Sequence, residues 1–176
     1  MVKLEIIVAP DPRLKAACEP VTVVDDEVRR LMDDMLEAMY EAPGIGLAAP
    51  QVGVTRRVIV VDVSGEDDGR QPLRMANPRL LAASEKTAVY EEGCLSFPEQ
   101  FADVRRPEHA TVAYLDETGT ERQLEMEGIL ATCVQHEIDH LDGILFVDHL
   151  TSLKRGMIVR RLAKAKCVKP AGRVRA

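Results

Sequence analysis

Two histidines four residues apart on a helix stack on one face. The segment His136-Glu137-Ile138-Asp139-His140 has that spacing, within a stretch whose apolar pattern reads as helical. Two imidazoles on one rigid element can share one transition-metal ion. Glu137 is offset from them, beside the ion's open position, where a carboxylate can act as general base on a water. A catalytic site of this kind takes three protein ligands and leaves a fourth position open. One ligand therefore remains to be found. Asp148 and His149 are the downstream options, and they lie beyond a break at Gly143. Cys94 is the upstream option, in a Gly-Cys-Leu-Ser turn after a strand-like stretch, where a thiolate can face a cleft. A single cysteine is more often only a small buried hydrophobe, so these alternatives stay open at this point.

The run Gly44-Ile45-Gly46-Leu47-Ala48-Ala49-Pro50-Gln51 is also unusual. It makes a poor phosphate loop, because no Lys-Ser/Thr follows and the next element reads as a strand. Its small residues suit close backbone approach. Gln51 then places a polar amide at the end of a tight turn.

These groups need rigid supports. Asp25 or Asp26 can cap a helix on which Val28, Leu31, Met32, Met35, Leu36 and Met39 recur at helical spacing. Such a Met-rich stripe is packing rather than a cofactor box, and Pro43-Gly44 ends the helix. Residues 57–63 read as a buried strand and residues 64–70 as a loop. Asn77-Pro78 reads as a turn. A strand starts at residues 87–90 and leads into Glu92-Gly93-Cys94. Residues 110–115 and 121–126 form a hairpin. The helix bearing the histidines runs over residues 128–141, with Ile129, Leu130, Cys133, Val134, Ile138 and Leu141 facing inward and Gly143 as its C′ residue. A last helix covers residues 153–166, capped by Thr151 or Ser152 and weakened by Gly156. Strands before and between helices, without a βαβ repeat, predict an α+β fold.

The 176 residues suffice for one domain with a core. The expected unit is residues 1–168, followed by a basic, disordered tail over residues 169–176. Trp is absent and aromatics are scarce, which argues against a stacking platform for single-stranded nucleic acid. The apolar run at residues 4–9 is too short for a signal peptide and is broken by Glu5. No apolar stretch reaches the length of a membrane span. Four widely spaced cysteines suggest no disulfide framework, and a reducing cytoplasm is the expected compartment. The net charge is −6, but no acidic residue follows Asp148, and nine Lys/Arg there leave −15 on residues 1–148. The basic end can meet a polyanion, or it can be no more than a solvated helix end.

Taken together, Gly44–Gln51, Glu92-Gly93-Cys94-Leu95-Ser96 and Gln135-His136-Glu137-Ile138-Asp139-His140 resemble the three signature motifs of the peptide deformylases, in the family's order and with similar spacing. The likeness extends from Asp11-Pro12-Arg13-Leu14 to Lys154-Arg155. It implies antiparallel sheets packed around a central helix carrying the H-E-x-x-H motif, with a further C-terminal helix. It implies that Cys94, His136 and His140 bind one divalent metal ion, ferrous iron in the cell, with zinc, nickel or cobalt also accommodated. It implies that Glu137 moves the proton from water to the leaving amine. The Gln51 side chain and the Leu95 backbone N–H would serve the developing oxyanion, and Ile45 and Gly46 the substrate backbone. Ile129 and Cys133 would line the methionine pocket. The implied reaction removes the formyl group from the N-terminal formyl-methionine of new polypeptides and releases formate. The implied partner, beyond such peptides, is the ribosome near the nascent-chain exit, met by Lys154, Arg155, Arg160 and Arg161.

One residue departs from the pattern. After Pro98-Glu99-Gln100 many members carry an Arg that helps position the substrate chain, and here Phe101 stands in its place. We also expect Arg106 to pair with Glu92 behind the metal loop. Two rivals have other consequences. An H-E-x-x-H peptidase of another family needs a downstream third ligand, and none stands at a familiar spacing. A non-catalytic binding relative would lose a ligand or the base, and Gln51, Cys94, His136, Glu137 and His140 are all present.

Overall fold

A computed structural model describes residues 3–65 and 69–167. Its order is a 3-10 turn at Pro12–Lys15, α1 (Asp26–Glu41), β1 (Gly46–Ala48), a 3-10 turn at Ala49–Val52, β2 (Val58–Val61), β3 (Leu73–Ala83), β4 (Thr87–Cys94), β5 (Phe97–Pro107), β6 (His109–Leu115), β7 (Glu121–Glu127), α2 (Gly128–Leu141), a 3-10 turn at Phe146–His149 and α3 (Ser152–Cys167). Strands β1-β2-β3-β6-β7 form one antiparallel sheet, and β4–β5 a separate antiparallel hairpin. The fold is α+β, as expected, with α2 touching strands of both sheets.

The sheet is covered on both faces, and β2 shows why its four residues are all apolar. Successive side chains alternate across a strand. Ile59 and Val61 join Val134, Ile138 and Leu141 of α2 in one cluster. Val58 and Val60 join Met32, Met35 and Met39 of α1 in another. The Met stripe is therefore core. Asp25 caps α1 by accepting from Val28 N at 3.0 Å, and Asp26 and Glu27 place negative charge in the first turn. A third cluster joins Phe97 and Val104 of the hairpin to Phe146 and to Ile158 and Leu162 of α3.

The end of α2 explains its glycine. Gly143 has φ +72°, and a Cβ there would strike the Lys15 carbonyl oxygen. Both the left-handed cap and the close approach exclude a side chain.

Four expectations need correction. Asn77-Pro78 is no turn: it lies within β3, where the register with β6 shifts. Asn77 takes φ 49°, and its amide bonds both Val21 N and Val21 O at 2.7 Å. The side chain thus stabilises a bulge, and Pro78, which has no N–H to give a ladder, sits where the pairing skips. Strand β5 was not anticipated, because Pro98 and the charged residues 103, 105 and 106 mask its alternation. Nor was β3, over any of its length. Ile129 does not face the core: it is 43% exposed at the start of α2. The proposed tail, residues 169–176, lies outside the described residues.

Candidate metal centre

Three elements converge on one point. Helix α2 delivers His136, Glu137 and His140 from its buried stretch. Cys94 ends β4, where the hairpin register slips between Gly93 and Cys94. Gln51 comes from the 3-10 turn after β1. Cys94 Sγ and one ring nitrogen from each histidine lie within 4.8 Å of one another, and Sγ is 3.3 Å from His140 Nε2. Zn–S and Zn–N bonds of about 2.3 and 2.0–2.1 Å put two tetrahedral donors about 3.5 Å apart, so this set fits a transition ion. One thiolate and two imidazoles also suit iron, nickel or cobalt better than calcium or magnesium. Asp148 and His149, the alternative ligands, are elsewhere. Asp148 holds Lys15 and Leu145 N, each at 2.9 Å, and His149 Nε2 is 2.7 Å from Asp139.

The polar partners fix each donor. Glu92 Oε2 accepts from His136 Nδ1 at 2.9 Å, which leaves Nε2 for a metal. Arg106 grips Glu92 with two hydrogen bonds, 2.6 Å to Oε1 and 3.0 Å to Oε2, so the expected pair is present and buried. Arg106 also reaches Asp139 at 2.8 Å. Burial opposes a charge on Glu92, yet the bonds from His136 and Arg106 outweigh it and hold the carboxyl near 2. Burial likewise opposes charge on His136, but its bonds to Cys94 and Glu92 raise its affinity for a proton. His140 is pushed the other way, first by burial and then by the neighbouring positive groups. Glu137 is buried, and that burial lifts its carboxyl to about 7. A bound cation would act against this lift.

Gln51 is locked at both ends of its amide. Oε1 accepts from Ala48 N at 2.9 Å, while Nε2 donates to Ser96 Oγ at 3.1 Å and approaches Cys94 Sγ at 3.4 Å. The donors therefore face the Cys94 side of the site. A cavity of about 570 Å³ opens here, lined among others by Ile45, Gly46, Leu95, Ile129, Cys133 and Glu137. Gly46 makes room for the base: a Cβ there would lie 2.5 Å from Glu137 Oε1 and 2.7 Å from Cys133 Sγ. Cys133 Sγ donates to Ile45 O at 3.5 Å.

The model of the family described as polypeptide deformylase matches residues 3–156, the span that carries all of these groups. The chain belongs to the polypeptide deformylase family. A peptide deformylase of Rhizobium meliloti is 54% identical over 160 residues, covering 91% of this chain and 92% of its own. One of Rhizorhabdus wittichii is 53% identical over 171 residues, covering 94% and 97%. The crystal structure of the Ehrlichia chaffeensis peptide deformylase, in complex with actinonin, superposes with a TM-score of 0.90 at 40% identity, covering 94% of this chain and 99% of that one.

The ten residues to which the resemblance gives a catalytic, metal-binding or substrate-binding role all line the cavity or belong to its metal cluster. Four groups were missed. Ser96 holds Gln51, and Asp139 ties Arg106 to His149. The Glu92–His136 bond and the clearance at Gly46 were also unseen. Ser96, Asp139, Glu92, His136 and Gly46 each lie inside one of the three motif segments, but nothing local to the sequence named their partners. Among the described residues no helix is long and apolar enough to cross a membrane.

Proposed function

We propose that this chain hydrolyses the N-formyl group of formyl-methionine at the start of nascent polypeptides, giving formate and a free amine. The convergence of Cys94, His136 and His140 beside the buried Glu137, in a chain of this family, supports that reading. A divalent cation held by those three residues supplies Lewis acidity and acidifies water. We assign ferrous iron in the cell, with zinc, nickel or cobalt compatible with the same donors.

The protein's own groups do the rest. Glu137 takes a proton from the attacking water and returns it to the nitrogen as the C–N bond breaks. Gln51 Nε2 and the Leu95 backbone N–H donate to the formyl oxygen as negative charge collects there. Ser96 and Ala48 keep the Gln51 amide from rotating. Ile45 and Gly46 bind the peptide backbone. Ile129 and Cys133 receive the methionine side chain, consistent with the exposure of Ile129 toward the cavity rather than the core.

We place the enzyme in the cytoplasm, where nascent chains are made, as a single catalytic domain over residues 1–168. Helix α3 is the candidate ribosome contact. Ile158 and Leu162 anchor it to the core, while Lys154, Arg155, Arg160 and Arg161 face outward.

The test is formate release from formyl-Met-Ala-Ser by anaerobically prepared, iron-loaded protein. Wild type should turn over, and Glu137→Ala should keep its metal and lose turnover. No release from metal-replete wild type would overturn the proposal and favour a binding role.

A further inference from the structure

Three of the chain's exposed large apolar side chains gather on the site cavity: Ile45 at 44%, Phe101 at 63% and Ile129 at 43% exposure. Phe101 is the most exposed of these, and its position is built rather than incidental. It pairs across the hairpin with Gly93, the residue before Cys94. A Cβ on Gly93 would lie 2.6 Å from Phe101 Cε1. The ring therefore lies over bare backbone, beside the metal cluster, in a place that any side chain at position 93 would deny it. Packed this way, the ring has one face on Gly93 and much of its surface in water. Apolar surface left open on a cavity wall marks a place where a ligand docks.

The charge of the wall points the same way. Glu91, Glu92, Glu99 and Glu137 line the cavity, and no Lys or Arg does among the described residues. Glu92 is committed to Arg106 and His136. Glu91 and Glu99 remain exposed. An acidic side chain of the substrate would meet an aromatic face and carboxylates, with no Lys or Arg of the wall to answer it.

Resting on the deformylase reading, we propose that Phe101 is a specificity-determining residue. It favours formyl-methionyl peptides with an aromatic or long apolar side chain at one of the two positions after methionine, and it disfavours acidic ones there. The contact is made equally in ground state and transition state, so it acts on KM more than on kcat.

The experiment compares formyl-Met-X-Ser and formyl-Met-Ala-X, with X as Phe, Leu, Ala or Asp, on metal-loaded wild type, Phe101→Ala and Phe101→Arg. Wild type should prefer Phe over Asp by about tenfold in kcat/KM in at least one series, the low end of what one apolar contact discriminates. The difference should sit in KM. Phe101→Ala should flatten the profile, and Phe101→Arg should tilt it toward Asp. Because the side chain is mostly exposed, neither change threatens the fold. Binding of the same peptides to metal-loaded Glu137→Ala, followed by calorimetry, separates the two readings. Absent turnover with the same binding preference would sink the hydrolase reading alone. A flat wild-type profile, or one that Phe101→Ala leaves unchanged, would overturn the role of Phe101.

Discussion

Glu92 stands between Arg106 and His136, accepting two hydrogen bonds from the guanidinium and one from the imidazole. All three side chains are buried. The carboxylate therefore fixes which nitrogen of His136 faces the metal, and Arg106 fixes the carboxylate. Glu92→Gln keeps the shape but loses the charge. It should weaken metal affinity about 10- to 100-fold, the usual effect of a supporting group of this kind. Competition with a chelator measures it. Arg106→Ala should be worse, because it strands a buried carboxylate, and such losses run to about 3–5 kcal/mol. Denaturant unfolding would register that cost, and full stability in Arg106→Ala would contradict it.

Gly46 faces Glu137 across the site. A methyl at position 46 has nowhere to go except against Glu137 Oε1 and Cys133 Sγ. Gly46→Ala should displace the carboxyl while leaving Cys94, His136 and His140 in place. A misplacement of about 1 Å typically costs about a hundredfold in rate. The expected result is one equivalent of bound metal with kcat reduced by about that factor. Loss of metal together with activity would place the fault in the ligands instead.

How much of this was legible depends on how local the signal was. Helix α2 was read to its ends, because His136 and His140 repeat at helical spacing and Gly143 closes the helix. Helix α1 was read equally well from its Met stripe and from Asp25. Strand β5 was not, because its alternate faces carry Arg106 inward and Phe101 outward, the reverse of what polarity suggests. Arg106 is tolerated inside only because Glu92 and Asp139 meet it there. Asn77 misled for a related reason: its turn-forming chemistry is spent on Val21, distant in sequence. Partners that are set by tertiary contact leave no trace in a local pattern.

Asp62 governs a pH response away from the metal. Its carboxyl is buried, which raises its pKa, but hydrogen bonds from Ser64, Tyr40 and the Gln71 backbone more than offset this and lower it. A carboxyl depressed in the folded state stabilises the fold fully above its unfolded pKa, about 3.9. The contribution is lost as pH falls below that value through the folded one. Asp62→Asn should therefore lower Tm at pH 7 and narrow the gap from wild type as pH drops below about 4. Thermal melts across that window test it, and a gap that is constant with pH would exclude the mechanism.

The basic helix can be tested without dismantling the protein. Truncation at Leu150 would also remove Ile158 and Leu162, which pack with Phe97 and Phe146, so a loss of binding could reflect a damaged core. Charge reversal on the outer face avoids this. Arg160 and Arg161 are exposed, while Arg155 lies 3.1 Å from Asp148. Arg160→Glu/Arg161→Glu should leave Tm and formate release from a short peptide unchanged, because neither residue reaches the cavity. If α3 meets ribosomal RNA phosphates, the double variant should fail to pellet with ribosomes at low salt. Wild-type pelleting should itself fall steeply with salt, in proportion to the phosphates neutralised. Pelleting that is indifferent to both salt and charge reversal would assign any ribosome contact to another face.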